Sequence, residues 1–215
     1  TMVLLVDVSG SRLFGTADKL KKNIMTEIAA VLAFSASQNN DKVGCIFFSD
    51  RVEKFIPPKK GRSHILMIIR ELIELKPKSP ATSLSEPLRY LANAIKKRCT
   101  AFILSDFMDP PADIAHFEEA LKIASNKHDL VAIKVYDRRD SELPDVGIME
   151  TRDAETGRKV WVDTSSRRVR GDYHRAWTER SEEIGKILKR ARVDSAEVET
   201  DEDYVKSLIK LFKKR

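Results

Sequence analysis

Four short runs constrain this sequence most, because apolar and often β-branched residues follow one another in them almost without a break. They are residues 2–6 (MVLLV), 42–48 (KVGCIFF), 101–105 (AFILS) and 130–136 (LVAIKVY). A strand wetted on one face alternates apolar and polar residues, whereas a strand covered on both faces does not. The runs therefore predict buried strands. Between them the period changes. Leu20, Ile24, Ile28, Val31 and Leu32 recur at helical steps and form one apolar stripe over residues 16–38. Ile65, Ile68, Ile69, Leu72 and Ile73 make a second stripe, Leu84, Leu88, Leu91, Ala92 and Ile95 a third, and residues 112–125 a fourth. Strands alternating with helices predict an α/β fold: a doubly wound, mostly parallel sheet with helices on both faces.

Lesser signals fill in the order. Asn39-Asn40-Asp41 is a polar turn, and residues 51–56 read as a short strand hairpinned to the second run and ended by Pro57-Pro58. After Tyr136 comes a polar loop, 137–144. Residues 146–152 and 158–163 flank Asp153-Ala-Glu-Thr-Gly157 and read as a β-hairpin. A basic helix over 171–192, a short strand over 196–199 and a last helix follow, with Thr200-Asp-Glu-Asp203 expected to carry acids into that helix's first turn. There is no internal repeat. One domain over 1–215 with a loop and hairpin insertion at 137–165 accommodates all of this.

Composition narrows the class. Of 215 residues, 42% are hydrophobic and 33% charged, the mix of a folded globular chain. No apolar run approaches the length that spans a bilayer. Cys45 and Cys99 are too few for a disulfide framework or a cysteine zinc cage, and are expected to be buried thiols in a cytoplasmic, reducing setting. The net charge of +6 is small beside 39 basic and 33 acidic residues, so it permits contact with nucleic acid without demanding it. Thr1 opens directly onto a strand pattern, from which the chain is expected to be a piece of a longer protein.

The chemistry sits where strands end. In open α/β sheets, ligands bind outside the carboxyl ends of the strands, where strand order reverses. The first strand leads into Asp7-Val8-Ser9-Gly10-Ser11. Alternation puts Asp7, Ser9 and Ser11 on one side, and Gly10 lets the chain curl. Three converging oxygen groups suit a hard cation such as Mg²⁺, Mn²⁺ or Ca²⁺, although a strand-end Asp followed by serines also reads as an ordinary turn or cap. A second buried strand ends in Asp106. Thr82 precedes a helix for which Ser83 and Glu86 have the spacing of a capping box.

Asp7, Ser9, Ser11, Thr82 and Asp106, in that order on three loops, resemble the metal-ion-dependent adhesion site of von Willebrand factor A-like, Rossmann-like domains. The segments MVLLVDVSGS, LAFSASQNNDKVGCIFFSD, RVEKFIPPKKGR, FILSDFMD, ELPDVG and TDEDYVKSLIKLFKKR resemble the bacterial domain-of-unknown-function family 58. Members of that family are encoded beside MoxR-type AAA+ ATPases. The resemblance implies that Ser9, Ser11 and Thr82 ligate a cation directly while Asp7 and Asp106 act mostly through water. The ion then keeps an open position for a partner protein's carboxylate. It also implies an adaptor or assembly role beside a MoxR-type ATPase. One departure from the family pattern is Ala81, where glycine is usual, which would shift the loop carrying Thr82.

Other functions are weaker readings. A metal-dependent hydrolase would need a base. His64, His116, His128 and His174 do not adjoin the site loops in sequence and read as surface or boundary residues, which leaves Asp109 as a spare carboxylate. No G-x-x-x-x-G-K-[ST] phosphate loop or G-x-S-x-G elbow is present, so the expectation is a binding module and not an enzyme. Arg167, Arg168, Arg170, Arg175, Arg180, Lys189, Arg190 and Arg192 could face nucleic acid. Glu179, Glu182 and Glu183 interrupt the series, and a solvated, internally ion-paired helix is the simpler reading. Trp161 and Trp177 are expected to pack together and pin the insertion.

Overall fold

The computed structural model describes residues 1–10, 20–108, 114–152 and 158–215. Ser11, Asp109, the hairpin turn and the first residues of the first and fourth expected helices therefore lie outside the described residues. The strands are β1 (Met2–Asp7), β2 (Val43–Phe48), β3 (Val52–Lys59), β4 (Thr100–Ser105), β5 (Asp129–Tyr136), β6 (Ile148–Arg152), β7 (Lys159–Asp163) and β8 (Asp194–Glu199). The helices are α1 (Lys21–Gln38), α2 (Arg62–Glu74), α3 (Ser85–Ala94), α4 (Ile114–Lys127), α5 (Arg138–Ser141), α6 (Arg167–Arg190) and α7 (Tyr204–Lys214).

Six strands form one sheet in the order β3-β2-β1-β4-β5-β8, parallel except for β3, while β6 and β7 pair as a separate two-stranded sheet. Because β1 is central, its successive side chains feed two cores. Leu4 and Val6 meet Ile24 and Ile28 of α1, Ile65 and Ile68 of α2, and Leu208 and Leu211 of α7. Val3 and Leu5 meet Leu88 and Leu91 of α3, Phe117 and Leu121 of α4, and Ile184 and Ile187 of α6. This double burial explains why the strand sequences carry no alternation. Strand order reverses between β1 and β4, which places Asp7 and Asp106 side by side at the sheet's carboxyl edge.

Several local expectations give way to the structure. β3 does not stop at Pro57-Pro58 but runs through both to Lys59; it is an edge strand, where proline removes no necessary ladder bond. Gly44 is required opposite it, because a Cβ there would lie 2.8 Å from Cγ of Pro58. α3 starts at Ser85, capped by the backbone of Leu84, which is already in the helical region (φ −80°, ψ −20°); the Ser83 hydroxyl instead lies 3.0 Å from that of Ser85. α6 begins at Arg167, earlier than residue 171, because the Ser166 side chain caps it by accepting from the Val169 N–H. Asp203 is the N-cap of α7 and accepts from the Val205 N–H, so the acids precede that helix's first turn. Val31 and Ile73, counted in the apolar stripes, are exposed. Trp161 is 69% exposed, and Trp177 packs on Tyr136 at 5.4 Å, not on Trp161. His128 is buried beside Cys99, 3.4 Å from its sulfur, and is not a surface histidine. Both cysteines are free and buried. Among the described residues, no helix is long and apolar enough to cross a membrane.

Candidate functional site

The carboxyl edge of β1 is tied to two neighbouring loops by short hydrogen bonds. Asp7 is buried; its Oδ1 accepts from the Ser9 N–H at 2.9 Å and its Oδ2 accepts from the Ser105 hydroxyl at 2.7 Å. The Ser105 hydroxyl in turn accepts from the Phe107 N–H at 3.0 Å, which turns the chain after β4. Gly10 N–H donates to the Pro80 carbonyl at 2.9 Å, and Ser83 N–H donates to the Ser49 carbonyl at 3.0 Å. The loop carrying Thr82 is thereby held between the ends of β1 and β2, and Thr82 is itself buried. Ala81, in place of the expected glycine, donates its N–H to the Ser79 hydroxyl at 3.3 Å.

Four of the five expected site residues, Asp7, Ser9, Thr82 and Asp106, are thus buried on three loops at one rim. The fifth, Ser11, lies outside the described residues. Among the described residues, no three His, Cys, Asp or Glu groups stand together as a metal cluster. A cation here would rely on hydroxyls and two carboxylates.

The two carboxylates differ in their partners. Burial pushes the Asp7 carboxyl up to about 6, and the charge of Asp106 pushes in the same direction, against the hydrogen bonds from Ser9 and Ser105. No ion pair to Asp7 is found among the described residues, so a buried acid faces a second acid with only neutral donors around it. Asp106 accepts from the Met108 N–H at 3.2 Å through Oδ1 and from Lys21 Nζ at 2.9 Å through Oδ2. Lys21 also donates to Asp140 Oδ2 at 3.0 Å. Burial works against the Lys21 charge, but Asp106 and Asp140 outweigh it and hold the ammonium above its ordinary pKa.

Beyond Lys21 the rim continues as a closed polar chain. Asp140 accepts from the Asp137 N–H at 2.8 Å, and Asp137 accepts from the Arg139 N–H at 2.8 Å, a reciprocal capping box on α5. The Thr200 hydroxyl donates to Asp137 Oδ2 at 2.7 Å. Three adjacent strands, β1, β4 and β5, therefore each deliver an aspartate to one edge. Sequence reasoning missed Lys21, Asp137 and Asp140. The available signal for Lys21 was its position three residues before Ile24, on the apolar stripe. The signal for Asp137 was its place at the end of a buried strand, as for the other two aspartates.

The histidines fall in different places. His64 lies 2.9 Å from the Val43 carbonyl at the amino end of β2, and His128 immediately precedes β5, both at the opposite edge from the rim. His174 lies 3.0 Å from the Ser141 carbonyl, one residue from Asp140, a proximity that sequence spacing hid. On α6 several basic residues are ion-paired: Arg168 and Arg175 with Asp172 and Arg180 with Glu183 along the helix, and Arg190 with Glu118 of α4. That matches a solvated, ion-paired helix.

Known proteins share this architecture. The crystal structure of conserved hypothetical protein BatB from Bacteroides thetaiotaomicron superposes with a TM-score of 0.55 at 16% identity, over 87% of this chain and 98% of that one. An aerotolerance-related membrane protein from Bacteroides fragilis gives 0.56 at 15% identity, over 86% and 98%. The SpRpn10 VWA domain gives 0.50 at 10% identity, over 100% and 94%. At these identities the likeness is one of fold: a von Willebrand A-like α/β domain. In sequence, the chain is 28% identical to the uncharacterized protein Rv1480 of Mycobacterium tuberculosis over 99% of its own length, and spans 66% of that protein. Residues 1–183 match a family model described as Protein of unknown function DUF58, and with that match over most of its length the chain belongs to the DUF58 family.

Proposed function

We propose that this domain is a divalent-cation-dependent protein-binding module, and not an enzyme, that works as an adaptor or assembly factor beside a MoxR-type AAA+ ATPase in the cytoplasm. The observation that carries the reading is the state of Asp7, a buried carboxylate at the switch point of the sheet, faced by Asp106 and, among the described residues, hydrogen-bonded only by neutral donors. An isolated buried charge is costly unless it is paired or coordinates a metal. The donor set fits a hard cation, because Asp7, Ser9, Thr82, Asp106 and, by its place in the sequence, Ser11 offer oxygen alone.

These residues would hold Mg²⁺, or Mn²⁺ or Ca²⁺ in its place. A bound cation would supply positive charge and an open position for a carboxylate from the partner. The Asp7 backbone is paired with Phe48 of β2, Val6 before it is paired on both sides, and Ser105 fixes the carboxylate's orientation, so the acid is held before anything binds. The reading as a binding module is favoured over hydrolysis because Lys21, the basic group that contacts the rim acids among the described residues, is already committed to two carboxylates.

The test combines Mg²⁺ and Mn²⁺ titration calorimetry with a pull-down of the genomically adjacent ATPase, in metal and in EDTA. Wild type should bind the ion and retain the ATPase only in metal, and Asp7→Ala should lose both while melting as a folded protein. Equal capture by the variant, or capture insensitive to EDTA, overturns the reading. Metal-dependent turnover of phosphoesters or peptides would replace it with a hydrolase.

A further inference from the structure

The proposed binding reaction makes no use of the Lys21 ammonium, although this group is almost wholly buried at the point where the rim acids converge. It bridges two acids of different kinds. Asp106 belongs to the candidate cation site; Asp140 belongs to the capping box of α5 and has no part in that site. A lysine serving only to neutralise Asp106 would need no second carboxylate within reach. With Asp140 at 3.0 Å, the ammonium can give up Asp106 and remain paired.

We propose that Lys21 is a built-in competitor for the cation. It occupies Asp106 when no ion is bound and withdraws onto Asp140 when one is, and it thereby sets how tightly the site holds its metal. This rests on reading the rim as a cation site and concerns the regulation of that site. Two like charges in a dry region repel strongly. A fixed ammonium 2.9 Å from Asp106 therefore cancels part of the attraction that the Asp7–Asp106 pair would exert on an arriving ion. Lys21 opens α1, and its partners close β4 and cap α5, so exchange between the two carboxylates needs only rotation of a flexible four-carbon stem.

Titration calorimetry with Mn²⁺ alone, near neutral pH, on wild type, Lys21→Gln and Asp140→Asn tests the competition. Glutamine keeps a hydrogen-bond donor and loses the charge, and should bind Mn²⁺ about tenfold tighter or more. Asn at 140 keeps an acceptor but removes the charge that draws Lys21 away, and should bind about threefold more weakly or worse. The opposite signs separate competition from a purely structural role, in which both changes would weaken binding. Manganese should also raise the melting temperature of Lys21→Gln more than that of wild type. If wild type binds and Lys21→Gln binds no tighter, the competition is overturned while the cation site stands. If none of the three proteins binds, both are overturned. Should Lys21→Gln fail to melt cooperatively, Asp140→Asn decides alone, and an unchanged or higher affinity overturns the proposal.

Discussion

The two halves of the carboxyl-edge rim are built from the same residue type and treat it in opposite ways. On the Asp106 side two of the three rim aspartates share a cation: Asp106 and Asp140 pair with Lys21, while Asp137 accepts from the Thr200 hydroxyl and the Arg139 N–H. On the other side Asp7 has, among the described residues, only Ser9 and Ser105 as hydrogen-bond partners, both neutral, and a second acid close enough to raise its pKa. Burial alone therefore says little about purpose. Asp106 and Asp140 share a counter-charge, whereas Asp7 pairs with no cation among the described residues and faces a second acid, which is why the proposed cation site centres on it.

The largest way to break this contrast is to remove the charge that holds the satisfied half. Lys21→Met removes the ammonium that pairs buried Asp106 and half-buried Asp140, and should cost about 3–5 kcal/mol in denaturant unfolding without metal. A loss below about 1 kcal/mol would show that the ammonium is not what balances that half.

The unsatisfied half should show itself through pH. The Asp7 pKa rises from 3.8 to about 6 on folding, so the native state holds this proton more tightly than the unfolded chain. The group's contribution to stability is fully present below the unfolded value and is lost as pH rises through the folded one. In EDTA that amounts to about 3 kcal/mol between acid and neutral pH. Asp7→Asn should abolish this dependence and be the more stable protein at neutral pH, as measured by urea unfolding at both ends of the window. A variant that follows the wild-type profile would show that Asp7 is not strained.

Smaller changes sharpen the comparison. Thr200→Val strips one donor from buried Asp137 and should cost about 1–3 kcal/mol in thermal or chemical unfolding. Arg168→Ala removes an exposed i,i+4 pair with Asp172 on α6 and should shift stability by less than about 0.5 kcal/mol in the same measurement.

The frame of the molecule was legible in the sequence because double burial leaves an unmistakable trace. The runs that became β1, β2, β4 and β5 carry no alternation, and the helical stripes between them could belong only to covering layers. The three-loop convergence of Asp7, Thr82 and Asp106 could be inferred from strand ends and loop order. The ion pairs could not. Lys21 and Asp140 are 119 residues apart, and they meet only because β5 lies beside β4 and α1 begins above both. Caps failed for a local reason: a hydroxyl at the right spacing, Ser83, had another hydroxyl within reach, and Leu84 had already taken the helical conformation. The hairpin was readable as a hairpin, but its side-chain contacts were not, since chain order does not say that Trp177 finds Tyr136 first.

The margins of the sheet carry a consequence for how such a molecule behaves at high concentration. One border strand contains Pro57 and Pro58, which cannot donate to an added neighbour, and the other reads Asp-Ser-Ala-Glu-Val-Glu. A second copy approaching either flank to extend the ladder meets missing N–H groups on one side and a row of like charges on the other. The fold can therefore keep the loops of its acid-lined crest unobstructed while guarding both flanks against fibre-like growth.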